Sequence, residues 1–120
     1  MAVSTVGPSR DYSTLAAWEA ARPVTYTEDV EAECYSMADT ALVTILGSTP
    51  GAYRTKIYPV ASEDPKGVYS TSAYRLEATI SANYQRALYI QEDNVDAQIQ
   101  VKLTNSGYAS GVRAIYLAAV

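Results

Sequence analysis

Residues 95–104 read Val95-Asp-Ala-Gln-Ile-Gln-Val-Lys-Leu-Thr104. Val95, Ala97, Ile99, Val101 and Leu103 alternate with Asp96, Gln98, Gln100, Lys102 and Thr104 without a break. A period of two places every apolar side chain on one face of an extended chain and every polar one on the other. The same period recurs on both sides of this run. Val30, Ala32 and Cys34 alternate with Glu31, Glu33 and Tyr35; Thr55, Ile57 and Pro59 with Arg54, Lys56 and Tyr58; Tyr74, Leu76, Ala78 and Ile80 with Arg75, Glu77 and Thr79. Ala41–Leu46 is a short apolar strand closed by Gly47-Ser-Thr-Pro-Gly51, and Leu88 and Ile90 mark another. A last strand, Val112–Ala119, follows the turn 105–111. These runs make an all-β chain of roughly seven strands, with turn signals every 8–12 residues or so. Spacing alone leaves two architectures, a β-sandwich and a β-helix of ~20–25 residues per coil.

Only one stretch has helical character. Ser13-Thr-Leu-Ala-Ala-Trp-Glu-Ala-Ala-Arg22 offers Ser13 as N-cap, an alanine-rich interior and Pro23 as a stop. Leu15 and Trp18, three positions apart, give this helix of about residues 13–22 one apolar edge. Before it, residues 1–10 are small and polar around Gly7-Pro8 and read as an N-terminal arm that orders on assembly, leaving residues 11–120 as a single domain. Ser62–Ser72 is a polar loop expected to project from the body.

Composition narrows the chemistry. The 120 residues hold 9 Lys and Arg against 13 Asp and Glu, a net charge of -4, so no basic surface is expected to bind nucleic acid. The acids gather early: residues 1–40 carry Asp11, Glu19, Glu28, Asp29, Glu31, Glu33 and Asp39 against Arg10 and Arg22. There is no histidine, hence no Ser-His or Cys-His nucleophile pair and no imidazole ligand. One cysteine rules out an internal disulfide. No apolar run is long enough to span a bilayer, and no secretory leader is visible at the start; no membrane partner and synthesis in a cytoplasm are expected.

Candidate sites are few. Glu28–Glu33 is rich in oxygen, but a strand lacks the loop geometry of a calcium site, and pairing with Arg54 and Lys56 on a neighbouring strand accounts for it. Glu31 and Glu33 have a spacing compatible with paired-carboxylate hydrolysis, as any alternating strand does. Glu92, Asp93 and Asp96 sit in or beside a turn, where acids are ordinary. Cys34 shares the register of Val30 and Ala32 and reads as core. The expectation is no catalytic residue, no metal and no cofactor. Tyrosine replaces phenylalanine throughout, 11 to 0. Tyr74 falls on an apolar register, whereas Tyr35, Tyr58 and Tyr89 face outward and Tyr84 and Tyr108 lie in loops. Interface tyrosines of this kind anchor protein contacts. Tyr35, Tyr58, Tyr89 and Tyr108, with Ile115, Tyr116 and Leu117 of the last strand, are the candidate interface.

The string Arg10-Asp-Tyr-Ser-Thr-Leu-Ala-Ala-Trp-Glu-Ala-Ala21 resembles the opening signature of right-handed parallel β-helix proteins of bacteriophage virions and bacterial surfaces, in which such a helix caps the open end of the coils. Glu33-Cys-Tyr35, Val43-Thr-Ile-Leu-Gly-Ser-Thr49, Tyr53–Ile57, Ala87–Val95 and Val101–Gly107 are similar to strand and turn pieces of the same group. The resemblance covers residues 9–118. It implies a short right-handed parallel β-helix with an N-terminal capping helix carrying Leu15 and Trp18. It further implies a structural virion component, most naturally a capsid decoration (cement) protein acting as a homotrimer on a major capsid protein, assembled in the host cytoplasm. The alternatives are a polysaccharide-binding or host-recognition module of a tail fibre or adhesin, and a filament subunit stacking end to end. Typical members continue for more coils, so no catalytic or receptor-binding residue carries over. The strand 112–120 is expected to be covered by a partner, a symmetry mate or a folded-back arm.

Overall fold

The computed structural model describes residues 2–105, 107–108 and 110–117. They form a parallel β-solenoid of about 4 turns with a single short helix, which excludes a sandwich. The strands are β1 (Ala2–Val6), β2 (Val30–Cys34), β3 (Ala38–Asp39), β4 (Val43–Ile45), β5 (Thr55–Pro59), β6 (Arg75–Thr79), β7 (Arg86–Ile90), β8 (Val95–Ala97), β9 (Gln100–Thr104) and β10 (Arg113–Leu117); the helix α1 (Leu15–Ala20) follows β1. Three flat faces result. The first is ordered β1-β2-β5-β8, the second β3-β6-β9 and the third β4-β7-β10, with every pairing parallel. After the first coil, which gives β1 and α1, each coil contributes one strand to each face, and like positions stack: Ala32 on Ile57, Leu76 on Val101, Val43 on Leu88. The steps from Val30 to Thr55 and from Arg75 to Gln100 are equal, one coil each. The coil from Thr55 to Val95 is longer because it carries the loop between β5 and β6, which opens with a 3-10 turn at Ala61–Glu63.

Four expectations change. Residues 95–104 are two strands, not one: the chain turns a corner at Gln98 and Ile99, where the Gln98 N–H donates to Ile57 O at 2.7 Å. Alternation survives the corner, since Val95, Ala97, Ile99, Val101 and Leu103 all pack against the core. Residues 2–10 are not a free arm, and Met1 lies outside the described residues. Ala2–Val6 pairs with β2 over its whole length and Val6 is fully buried, because a β-prone Val-Ser-Thr-Val run finds an open strand edge beside it. The helix is shorter than residues 13–22, and its N-cap is Thr14, whose Oγ1 accepts from the Ala17 N–H at 3.1 Å, rather than Ser13. Finally, β3 had no sequence signal; two residues are too few for a period. Of the last strand, β10 is described, and residues 118–120 lie outside the described residues.

The core is the interior of the coil stack, from Val6, Leu15 and Trp18 through Ala32, Cys34, Ile57, Tyr74 and Leu76 to Leu88. The helix lies across its first coil. Leu15 and Trp18 are its buried residues, and it packs against β4 and β1. Covering each stabilises by about 1.5–3 kcal/mol. Two buried polar groups fix it there. At its start, Asp39 on β3 accepts from the Leu15 N–H (2.8 Å), the Tyr74 hydroxyl (2.6 Å) and the Ala41 N–H (3.3 Å). Beyond its end, Arg22 donates to Glu92 (2.6 Å), Tyr26 (2.6 Å), Glu19 (3.1 Å) and the Leu46 carbonyl (3.3 Å). Burial works against the Arg22 charge, yet the bonds to Glu92 and Tyr26 outweigh it and raise its pKa.

Asp39→Ala leaves the Leu15 N–H and Tyr74 hydroxyl buried without an acceptor and is expected to cost about 2–4 kcal/mol of stability. Asp39→Asn, which keeps one acceptor oxygen, is expected to cost less. Urea denaturation of the three proteins checks the order.

Candidate functional site

Following each inward ladder up the third face shows where cover is lost. Val43 (1% exposed) stacks on Leu88 (1%) and then on Ile115 (49%); Ile45 (0%) stacks on Ile90 (9%) and then on Leu117 (70%). The chemistry of the ladder is constant, so the change comes from β10 having no further strand stacked on it among the described residues. The other two faces agree: Ile57 and Leu76 are fully buried, while Ala97 and Val101 beside them are only partly so. A recess of about 330 Å³ opens here, lined by Leu88, Ile90, Val95, Asp96, Ala97, Ile99, Ile115 and Leu117. Among the described residues β8, β9 and β10 each have one unpaired edge. An open apolar cross-section ringed by free strand edges is a template for further β-pairing. The other end differs, because α1 covers it.

The approach to β10 is built by a tight turn. Gly111 has φ +67°, and a Cβ there would run into the Tyr84 ring, so glycine is the residue that lets the chain pass. Tyr84 N–H in turn donates to Ser110 O at 2.7 Å.

The predicted interface residues fall into separate groups. Tyr35 and Tyr58 lie on the first face. Arg10 stacks on the Tyr35 ring (3.5 Å), and the two hydroxyls donate to Glu33 and Glu31, each at 2.8 Å. The Glu33 bond, aided by burial, raises the Tyr35 pKa, while burial and then the Glu31 bond push Tyr58 up to about 12. Tyr89 and Tyr116 lie on the third face with rings edge to face at 5.0 Å. Arg86 sits over both, 4.9 Å and 4.7 Å from the ring centres. Ile115 and Leu117 share that strand. Tyr108 stands apart in the loop before it, its N–H on Asn105 Oδ1 at 3.0 Å. Tyr74 is core, as its register indicates. The outward tyrosines therefore do not line one groove.

The acidic run is spent locally. Lys56 Nζ lies 3.4 Å from Asp29 and 4.0 Å from Glu31, and Asp29 also accepts from the Arg54 N–H. Glu92 is held by Arg22 and Ser48. Among the described residues no three of His, Cys, Asp and Glu converge as metal ligands would. A groove of about 480 Å³ was not legible in sequence; it runs between the loop after β5 (Pro59, Asp64, Pro65, Val68, Tyr69) and the corner 98–101. The only signal was Val68-Tyr69, an apolar pair within a polar loop.

No family model, no curated protein and no solved structure matches this chain.

Cys34 is fully buried; burial first, then the Asp39 and Glu33 carboxylates, push its thiol up to about 12. A raised folded pKa stabilises the fold fully below the unfolded value near 9.0, and that contribution is lost as pH climbs toward 12. Tyr58 acts in the same direction. The native thiol is therefore expected to resist a disulfide reagent at pH 8 and to react fully in urea, and the denaturation midpoint is expected to fall between pH 9 and 12. Rapid labelling of the native protein would contradict this.

Proposed function

We propose that this chain is a non-enzymatic structural protein, a bacteriophage capsid decoration protein that works as a homo-oligomer and uses its uncovered last coil to dock on the capsid. The observation that carries the docking role is the loss of cover along one ladder, from 1% exposed at Leu88 to 49% at Ile115 and from 9% at Ile90 to 70% at Leu117. Neighbouring coils bury the same register to 9% exposure or less, so these side chains are suited to burial. The resemblance of residues 10–21 to capped virion β-helices supports the virion setting and a trimer. In such a trimer the coils stand side by side and the uncovered ends face one way.

The rival readings have less support. Head-to-tail stacking into a filament meets the helix that lies across the first coil. A polysaccharide groove lined by tyrosines would need Tyr35 and Tyr58 on the same face as Tyr89 and Tyr116, and they are on different ones. Paired-carboxylate hydrolysis would draw on Glu31 and Glu33, whose oxygens accept from Tyr58 and Tyr35.

Light scattering on the isolated protein is expected to give the mass of an oligomer, and sedimentation with capsids stripped of this protein is expected to carry it down. Leu117→Asp replaces a side chain that touches little, so stability should change by no more than about 0.5 kcal/mol, and the oligomer should persist while co-sedimentation is lost. A monomer that stays in the supernatant overturns the reading.

A further inference from the structure

We infer that the loop inserted between β5 and β6, with the corner 98–101, forms a groove that binds a small organic cation with an apolar body. The site is separate from the proposed docking end, since no residue of β10 lines it. Coil length is the first reason. One coil takes 25 residues from Val30 to Thr55 and 25 from Arg75 to Gln100, but 40 from Thr55 to Val95. The excess of 15 residues is not needed to close the stack. In repeating folds such insertions commonly carry binding sites.

The inserted residues are held in one shape. From the coil before, the Ser36 N–H donates to Glu63 at 2.9 Å. From the coil after, the Gln100 amide accepts from the Ser70 N–H (2.5 Å) and donates to the Ser70 and Tyr74 carbonyls, each at 3.0 Å. The Tyr69 hydroxyl donates to Glu77 on β6 at 2.5 Å, and the same carboxylate oxygen takes Arg75 Nε at 3.2 Å. At the tip Lys66 (φ +54°) and Gly67 (φ +85°) are both left-handed, and the Val68 N–H closes the turn on Pro65 O at 3.2 Å. A lysine held that way is strained, and such strain collects at binding loops. The bonds keep Val68 72% and Tyr69 47% exposed, an arrangement that does nothing for the core. A wall fixed in advance lowers the ordering cost of binding.

The second reason is the chemistry of the lining. At about 480 Å³ the groove has the size of a small-ligand site. Its one charged lining residue is Asp64; no lysine or arginine lines it. Asp64 Oδ1 accepts from the Lys66 N–H at 2.9 Å, while Oδ2 has no bond and no ion pair among the described residues. Gln98 donates Nε2 to Asp96 at 3.3 Å, which leaves its Oε1 open. The Gln100 amide is spent on Ser70 and Tyr74, and the Tyr69 hydroxyl proton on Glu77. The open side-chain atoms are thus acceptors beside a single negative charge. An ammonium matches them and a carboxylate does not. The ligand's apolar part is placed against Pro65, Val68 and the Tyr69 ring, whose face also attracts a cation.

The test follows backbone amide shifts of the isotope-labelled full chain by NMR while phenethylammonium is titrated in at low salt, with hydrocinnamate as an anion of similar shape. Shifts are expected to centre on residues 64–69 and 98–101, and the ammonium is expected to bind about tenfold tighter than the anion. Asp64→Asn, a change at an exposed side chain, is expected to weaken the ammonium about tenfold and leave the anion unchanged. Equal affinities, no response to Asp64→Asn, shifts scattered over the three faces, or no shift at all overturns the inference. A lysine-containing Gly-Ser peptide that binds more tightly than phenethylammonium overturns the small-ligand assignment in favour of a protein partner.

Discussion

The Asp39 carboxylate holds the first coil shut, and the rest of the stack depends on that closure. A solenoid grows by adding coils, so each end exposes an apolar cross-section and unpaired strand edges. At the first coil the remedy is a helix of six residues, too short to be stable by propensity alone. It exists because one buried carboxylate takes the Leu15 N–H and the Tyr74 hydroxyl together, tying the helix start to β3 and to the residue just before β6. Burial first, and then the same carboxylate, push the Tyr74 hydroxyl pKa up. Arg22 does the matching work past the helix end, reaching from the first coil to Glu92 in the turn after β7.

What could be read in the sequence was what depends on neighbours along the chain. Alternation at 30–35, 54–59, 74–80 and 95–104 located most strands, and Leu15 and Trp18 located the plug. What could not be read depends on residues far apart. Asp39 meets Leu15 24 positions away and Tyr74 35 away; Arg22 meets Glu92 70 away. An isolated acid between short apolar runs looks like a turn residue, and nothing local marks it as buried. The corner at Gln98 and Ile99 was hidden for the opposite reason: a solenoid corner can keep inside and outside in step, so a bent run and a straight strand share one pattern. For Ala2–Val6, two valines among small residues made a pattern too weak to show without its partner strand.

The candidate site was legible in part for the same reason. Ile115 and Leu117 announce themselves as an apolar register, but their exposure is a property of the stack, visible only beside Leu88 and Ile90. The tyrosines looked like one class because each sits opposite a core residue. The fold divides them, since β2 and β5 build one face and β7 and β10 another. Arg86 and Arg113 carried no signal at all; their adjacency is created by the length of the coil between them.

The uneven cover has an energetic consequence. Complete burial of an Ile or Leu side chain stabilises by about 1.5–3 kcal/mol, and a small domain's whole stability is about 5–15 kcal/mol. Ile115 and Leu117 together therefore withhold a sizeable share of what the sequence could contribute. Among the described residues the last coil combines strands that have one unpaired edge with exposed Ile115 and Leu117, so it is where local opening is expected first. A ligand that binds only the folded chain stabilises it by mass action. Under the proposed docking, a partner seated on the open coil would add cover to β8, β9 and β10, whereas the first coil carries its own helix.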